Sequence, residues 1–192
     1  MYLAQEDLAA QLGVSRQPVS HALMLLRHDG LVVERGRKGQ MVAPIDPENL
    51  LSLYQARGAL DALAARLTAS RDKPMRESFR AKFEAVLAEG DQAMADQDID
   101  RLIVADVDFH QSIYAFSGNP KIAIMAEAAW HHVLRAMRTV LADADRRQRA
   151  RAEHHEIVAA ILAGDSVTAA ERATYHAEAA GEATFQRLTK AA

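Results

Sequence analysis

The sequence contains no cysteine. Disulfides and thiolate metal sites are excluded, and a reducing compartment suits the composition. Aromatic residues make up only 5% of the chain, with one tryptophan. Alanine is abundant instead, which favours closely packed helices. No apolar run is long enough to span a bilayer. Residues 1–7 lack the basic-then-apolar pattern of a secretory leader. A soluble, cytoplasmic protein with no membrane partner is the expectation. What is present is 192 residues, 49% of them apolar, enough for a sizeable core in one or two domains. The net charge of −3 is unevenly spread. Residues 1–45 carry five basic and four acidic side chains, and the remainder 18 basic and 22 acidic. Three of the five N-terminal cations, Arg35, Arg37 and Lys38, are clustered.

The N-terminal pattern is a short helix over about Glu6 to Gln11, with Leu8, Ala9 and Leu12 on its apolar side. Gly13 ends it, being tolerant of a left-handed turn, and Val14 is expected to be buried in that turn. Ser15 is a suitable N-cap for a second helix, and Pro18 falls in its first turn. Val19, Ala22, Leu23 and Leu26 then recur at helical spacing up to Gly30. Leu31-Val32-Val33 and Met41-Val42-Ala43 are strand candidates, joined by a basic hairpin with two glycines. Two helices with a tight turn, followed by such a hairpin, predict a winged helix-turn-helix over residues 1–45.

Residues 8–23, Leu8-Ala9-Ala10-Gln11-Leu12-Gly13-Val14-Ser15-Arg16-Gln17-Pro18-Val19-Ser20-His21-Ala22-Leu23, with Asp29-Gly30-Leu31-Val32, resemble the DNA-binding domain of GntR-family transcriptional regulators. The resemblance implies that the helix beginning at Ser15 enters the major groove of operator DNA. Ser15, Arg16, Gln17, Ser20 and His21 would then touch phosphates or base edges, with Arg35, Arg37, Lys38 and Gly39 of the wing beside them. Where the family commonly has Arg-Glu after Pro-Val, this chain has Ser20-His21, which bears on the operator sequence. The family also has a helix ahead of the one at Glu6. The sequence from Met1 leaves no room for it, so the winged domain is expected without its first helix.

Pro44-Ile45-Asp46-Pro47-Glu48-Asn49 reads as a linker. Six helical segments follow, over about 48–70, 74–96, 99–116, 121–141, 145–163 and 167–188, with no strand signal. The fold class is therefore mainly α: the winged unit, then an all-α six-helix bundle over residues 46–192. Within the third of these helices, Asp106 and His110 are four residues apart and leave one face. Such a pair can share a metal ion, but it is equally what a solvated helix face carries. His154 and His176 lie on later helices, where core histidines are the alternative reading.

The bundle resembles the FadR C-terminal (FCD) effector domain, in its shorter, VanR-like branch. Tyr54-Gln55-Ala56-Arg57 with Leu60-Asp61, Asp106-x-x-Phe109-His110, Ser117-Gly118-Asn119, Glu153-His154 with Gly164-Asp165, and His176 carry the resemblance. It implies that Asp106, His110, His154 and His176 bind one divalent ion, for which Zn is the first choice and Ni, Co or Mn are alternatives. A five- or six-coordinate centre is expected, so that a carboxylate can join. Asp108, His131, His132 and His155 are expected to stand aside.

Arg57, on an inward stripe, needs an anion: a buried acid, or the carboxylate of a small organic-acid effector. Arg135 and Arg138 are further effector candidates. The functional expectation is a homodimeric regulator, a repressor acting on an inverted-repeat operator and controlled by that effector. A helical-bundle metalloenzyme using metal-bound water, or a DNA-binding protein whose bundle only dimerises, are the alternatives.

Overall fold

A computed structural model describes residues 2–36 and 39–190, and Arg37 and Lys38 lie outside the described residues. The chain forms two compact units, Met1–Ile45 and Asp46–Ala192. In the first, helices α1 (Gln5–Leu12) and α2 (Arg16–His28) are joined through Gly13 at φ 65. Strands β1 (Tyr2–Leu3), β2 (Val32–Glu34) and β3 (Gln40–Val42) form an antiparallel sheet in the order β1-β3-β2. The sequence pattern does not reveal β1. Two residues are too short for a period-2 signal, and the strand exists because Tyr2 and Leu3 pair with Met41 and Gln40.

The core of this unit is small: Ala9, Val19, Leu23 and Val32, with Leu3 and Leu8 packed against them. Several positions expected to be buried are not, Ala22 among them. Leu12 and Val14 are 67% and 46% exposed, and Leu26 is 38% exposed rather than part of the buried stripe. Each helix buries only the narrow stripe that meets the other helix or the sheet, so residues flanking it stay in water. Ser15 has the extended backbone of an N-cap but makes no side-chain cap bond.

The second unit holds six helices: α3 (Pro47–Ala69), α4 (Lys73–Ala95), α5 (Ile99–Ser117), α6 (Pro120–Val140), α7 (Ala144–Ala163) and α8 (Ser166–Lys190). Their starts follow one device. Asp46, Asp72, Asp98, Asn119 and Asp143 each accept a backbone N–H of the following first turn, satisfying donors that the helix leaves open. Prolines at positions 47, 74 and 120 occupy first-turn sites where no N–H is needed. No helix among the described residues is long and apolar enough to cross a membrane.

Helices α3 and α8 approach closely because small residues line their contact. A Cβ on Gly58 would lie 3.1 Å from that of Ala177, and one on Gly181 would lie 2.8 Å from that of Tyr54. A larger residue at position 181 would push the helices apart, separating Tyr54 and Arg57 on α3 from His176 on α8. On the other side of the bundle, Phe79 of α4 stacks on Phe116 of α5 at 3.9 Å between centroids, with Phe83 edge-on to Phe116.

Candidate metal centre and recognition surfaces

Helix α5 is fixed by Leu102, Ala105, Phe109 and Ile113, all buried. That phase turns Asp106 and His110 inward and Asp108 outward. Asp108 pairs instead with Lys82 at 2.6 Å on the exposed side. On α7 the stripe of Ala150, Glu153, His154, Ile157 and Ile161 faces in. His155, one position on, is half exposed and meets Asp91 at 2.9 Å. His131 on α6 is exposed.

Asp106, His110, His154 and His176 each offer one ligand atom, and these atoms all lie within 4.8 Å of one another. His154 Nε2 is 3.2 Å from His176 Nε2 and 3.5 Å from Asp106 Oδ1. His110 Nε2 is 3.9 Å from Asp106 Oδ2. The three histidines are 1–3% exposed. His110 Nε2 is buried with no hydrogen-bond partner among the described residues. Leaving such an atom unmet costs free energy unless something bonds to it. Nitrogen and oxygen donors converging from three helices fit a divalent ion of the borderline class.

The neighbours orient these rings. His176 Nδ1 donates to Glu153 Oε2 at 2.7 Å, which leaves Nε2 with a free lone pair. Arg146 holds both Glu153 oxygens, at 2.8 and 3.1 Å, so the carboxylate cannot swing away. Burial pushes the Glu153 carboxyl up, but its bonds to His176 and Arg146 outweigh that and hold it below its usual range. His110 Nδ1 faces Asp61 at 3.6 Å. Asp61 is itself held by Arg57 Nε at 3.1 Å and by the Tyr114 hydroxyl.

Burial, then the charge of Arg57, then His176, holds His110 well below the usual imidazole range. Burial, with His176, His110 and Arg151, does the same for His154. Both rings are therefore neutral at neutral pH, the form a metal needs. Burial raises the Asp106 carboxyl against the lowering pull of His176 and Arg57.

One contact points the other way. Arg151 Nη1 lies 3.2 Å from His154 Nδ1. A guanidinium only donates, so Nδ1 accepts and the ring proton sits on Nε2, towards His176. Ligation through His154 Nε2 requires the other tautomer, whose Nδ1–H would oppose the guanidinium. Arg151 is anchored by Asp91 Oδ1 at 3.0 Å and the Leu87 carbonyl at 2.6 Å, over Gly90, where any Cβ would strike it at 2.5 Å.

Arg57 is 2% exposed and lies over the Tyr54 and Trp130 rings, 5.1 and 4.5 Å from their centroids. Its anion is Asp61. It also lines an inner chamber of about 30 Å³ with Tyr54, Asp106, Arg146 and His176. Arg135 and Arg138 are not among the residues lining this chamber. Arg138 is exposed and bound to Asp100, because α6 turns Val133, Met137 and Val140 inward instead.

In the first unit, Arg16 opens α2, is 67% exposed at its side chain and pairs with Glu6 at 2.8 Å. Gln17, Ser20 and His21 are exposed along α2, and Arg35 is exposed at the hairpin. Arg16 and Gly39 line one open cleft of about 360 Å³ with Tyr2 and Gln40.

Comparison with known proteins agrees with this division. Residues 1–42 match the family of bacterial regulatory proteins named gntR, and residues 52–179 match the FCD domain. The chain belongs to the GntR family, with an FCD domain. It is 31% identical over 168 residues to an HTH-type transcriptional regulator in an unstable DNA locus of Streptomyces ambofaciens, covering 85% of this chain and 67% of that one. It is also 31% identical over 178 residues to the "Probable D-xylose utilization operon transcriptional repressor" of Paenarthrobacter nicotinovorans, covering 90% and 74%. The solved structure of E. coli McbR/YncC superposes with a TM-score of 0.80 at 20% identity, covering 97% of this chain and 87% of that one, which shows the shared fold.

This GntR/FCD chain is thus a DNA-binding transcriptional regulator. Sequence reasoning overlooked Arg146 and Arg151. Both sit among Arg147 and Arg149 on α7, a run that reads as a solvated face. The available signal was spacing: Arg146, Ala150, Glu153 and Ile157 fall on one helical stripe.

Proposed function

We propose that this regulator is a homodimeric repressor whose affinity for an inverted-repeat operator is set by a small organic acid bound beside a divalent ion. Asp106, His110, His154 and His176 would hold the ion, with zinc the first choice. The observation that carries the reading is the four-donor cluster itself, with the orphaned Nε2 of His110 at its edge. A bound ion would supply a Lewis-acidic position for a carboxylate.

The chain's own residues do the rest. Glu153, braced by Arg146, keeps His176 in its ligating tautomer. Arg57 offers a cation beside Asp106, in the small chamber that both line. As it stands the chamber, about 30 Å³, has room for two or three waters at most, since each needs roughly 10–15 Å³. An organic acid must therefore part the walls that α6 and α7 contribute. An arrangement with those helices apart would bind effector better, and the effector would shift the population towards it. Ser15, Arg16, Gln17, Ser20 and His21, with Arg35, Arg37, Lys38 and Gly39, are the operator-facing set.

The test is operator binding with and without chelator and a panel of carboxylates. His154→Ala is expected to remove the carboxylate response and retain operator binding. Arg16→Glu is expected to weaken operator binding and leave metal content unchanged. A carboxylate response that survives chelation and His154→Ala sinks the reading.

A further inference from the structure

The bundle has a second concavity besides the chamber at the histidines. It is an open cleft of about 470 Å³ where the end of α6, the start of α7 and the last turns of α8 meet. Four cations line it: Arg146, Arg149, Arg187 and Lys190. Asp143 is the one carboxylate among the described residues that line it. That aspartate is partly committed already. It accepts the backbone N–H of Arg146 at 3.1 Å, and it lies 4.0 Å from Arg187. Thr139 and Gln186 add neutral hydrogen-bonding groups.

The charge of the cleft runs against its surroundings. Residues 46–192 carry more acidic than basic side chains, yet this concavity gathers Arg149, Arg187 and Lys190 around Asp143, while Arg146 is balanced by Glu153. Like charges held together repel, and that arrangement is relieved when an anion binds between them. Arg146 is 5% exposed and lines both this cleft and the inner chamber, so it forms part of the wall between them.

We infer that this cleft is a second small-molecule site, taking an anion with two or more negative charges, a polycarboxylate or a phosphate. It is separate from the inner chamber and does not depend on a metal. A monocarboxylate meets too little of the cation set to be held. The forks of Arg149 and Arg187 suit a planar carboxylate or a phosphate, which they can grip with paired bonds.

The test is calorimetric titration of the full chain after dialysis against chelator, so that no anion–metal complex mimics binding. Citrate, inorganic phosphate and acetate are the probes. Saturable binding of citrate or phosphate but not acetate is expected, and the tighter of the two names the chemistry. Arg149→Glu and Arg187→Glu, both exposed and with helix content checked by circular dichroism, should each weaken that binding about tenfold, the scale of a lost charge-assisted bond. Arg172→Glu, at an exposed cation of α8 that does not line the cleft, should leave it unchanged. The inference is overturned if neither anion binds saturably, or if binding survives both reversals. It is also overturned if Arg172→Glu weakens binding as much as the two reversals, since the anion would then answer to general charge rather than to the cleft.

Discussion

The two units of this chain keep their polar residues in opposite ways. In the winged unit Arg16, Gln17, Ser20 and His21 stand in water, and Arg16 pairs with the exposed Glu6. That exposure leaves them to be oriented by a partner, as the proposed operator contact would do. In the bundle, Arg57, Asp61, His110, Arg146, Arg151, His154 and His176 are all within a few per cent of complete burial, and all but His110 are held by a hydrogen bond to a neighbouring side chain. A surface that reads a large partner can wait for that partner. A site that encloses an ion must be built in advance, because every buried polar group lacking a bond costs stability.

The comparison breaks most visibly where a buried partner is removed. Asp61→Ala leaves the Arg57 guanidinium buried without its anion and takes the acceptor from Tyr114. A loss of about 3–5 kcal/mol is expected, read as a fall in the denaturation midpoint at constant slope. Removing Glu6, the exposed partner of Arg16, should change stability by no more than about 1 kcal/mol. Equal losses would show that burial is not what separates the two units.

Acidification should act on the bundle next. His110 and His154 are held well below the usual imidazole value of 6.5. Between that folded-state value and 6.5, the unfolded chain takes up protons that the folded chain refuses. Their contribution is complete above 6.5 and declines as pH drops below it, by about 1.4 kcal/mol per pH unit for each ring. Thermal unfolding of chelated protein across this range measures it. Replacing both rings by Gln should flatten the profile, and a profile unchanged by that replacement contradicts the assignment.

Arg151 gives a finer test. If its guanidinium competes with the ligating tautomer of His154, Arg151→Met should destabilise chelated protein and tighten metal binding by about tenfold, the scale of one charge-assisted bond. Weaker binding would make Arg151 a supporting residue instead. The smallest effect belongs to the winged unit: Leu12→Ser and Val14→Ser, both largely exposed, should each shift stability by less than about 0.5 kcal/mol.

Much of this was legible in the sequence, for physical reasons that differ by element. The six bundle helices announce themselves because apolar periodicity is joined by Asp or Asn caps and, at α3, α4 and α6, by a first-turn proline. Asp106 and His110 were visible as a pair because helical phase is local. Their meeting with His154 and His176 is a tertiary fact, and only the family resemblance pointed to it. Strand β1 was illegible because two residues carry no period. Val14 and Leu26 misled because an apolar side chain at helical spacing does not say whether anything covers it. Arg146 and Arg151 were hidden in a cationic run whose members differ only by helical angle.

The account rests on the four-donor cluster binding a metal, and elemental analysis of the purified full chain tests that most directly. Wild-type protein is predicted to carry one divalent ion per chain, and His154→Ala and His176→Ala to carry markedly less while retaining helix content. Metal at wild-type level in both variants, or none in the wild type after exposure to zinc, nickel, cobalt and manganese, would contradict it.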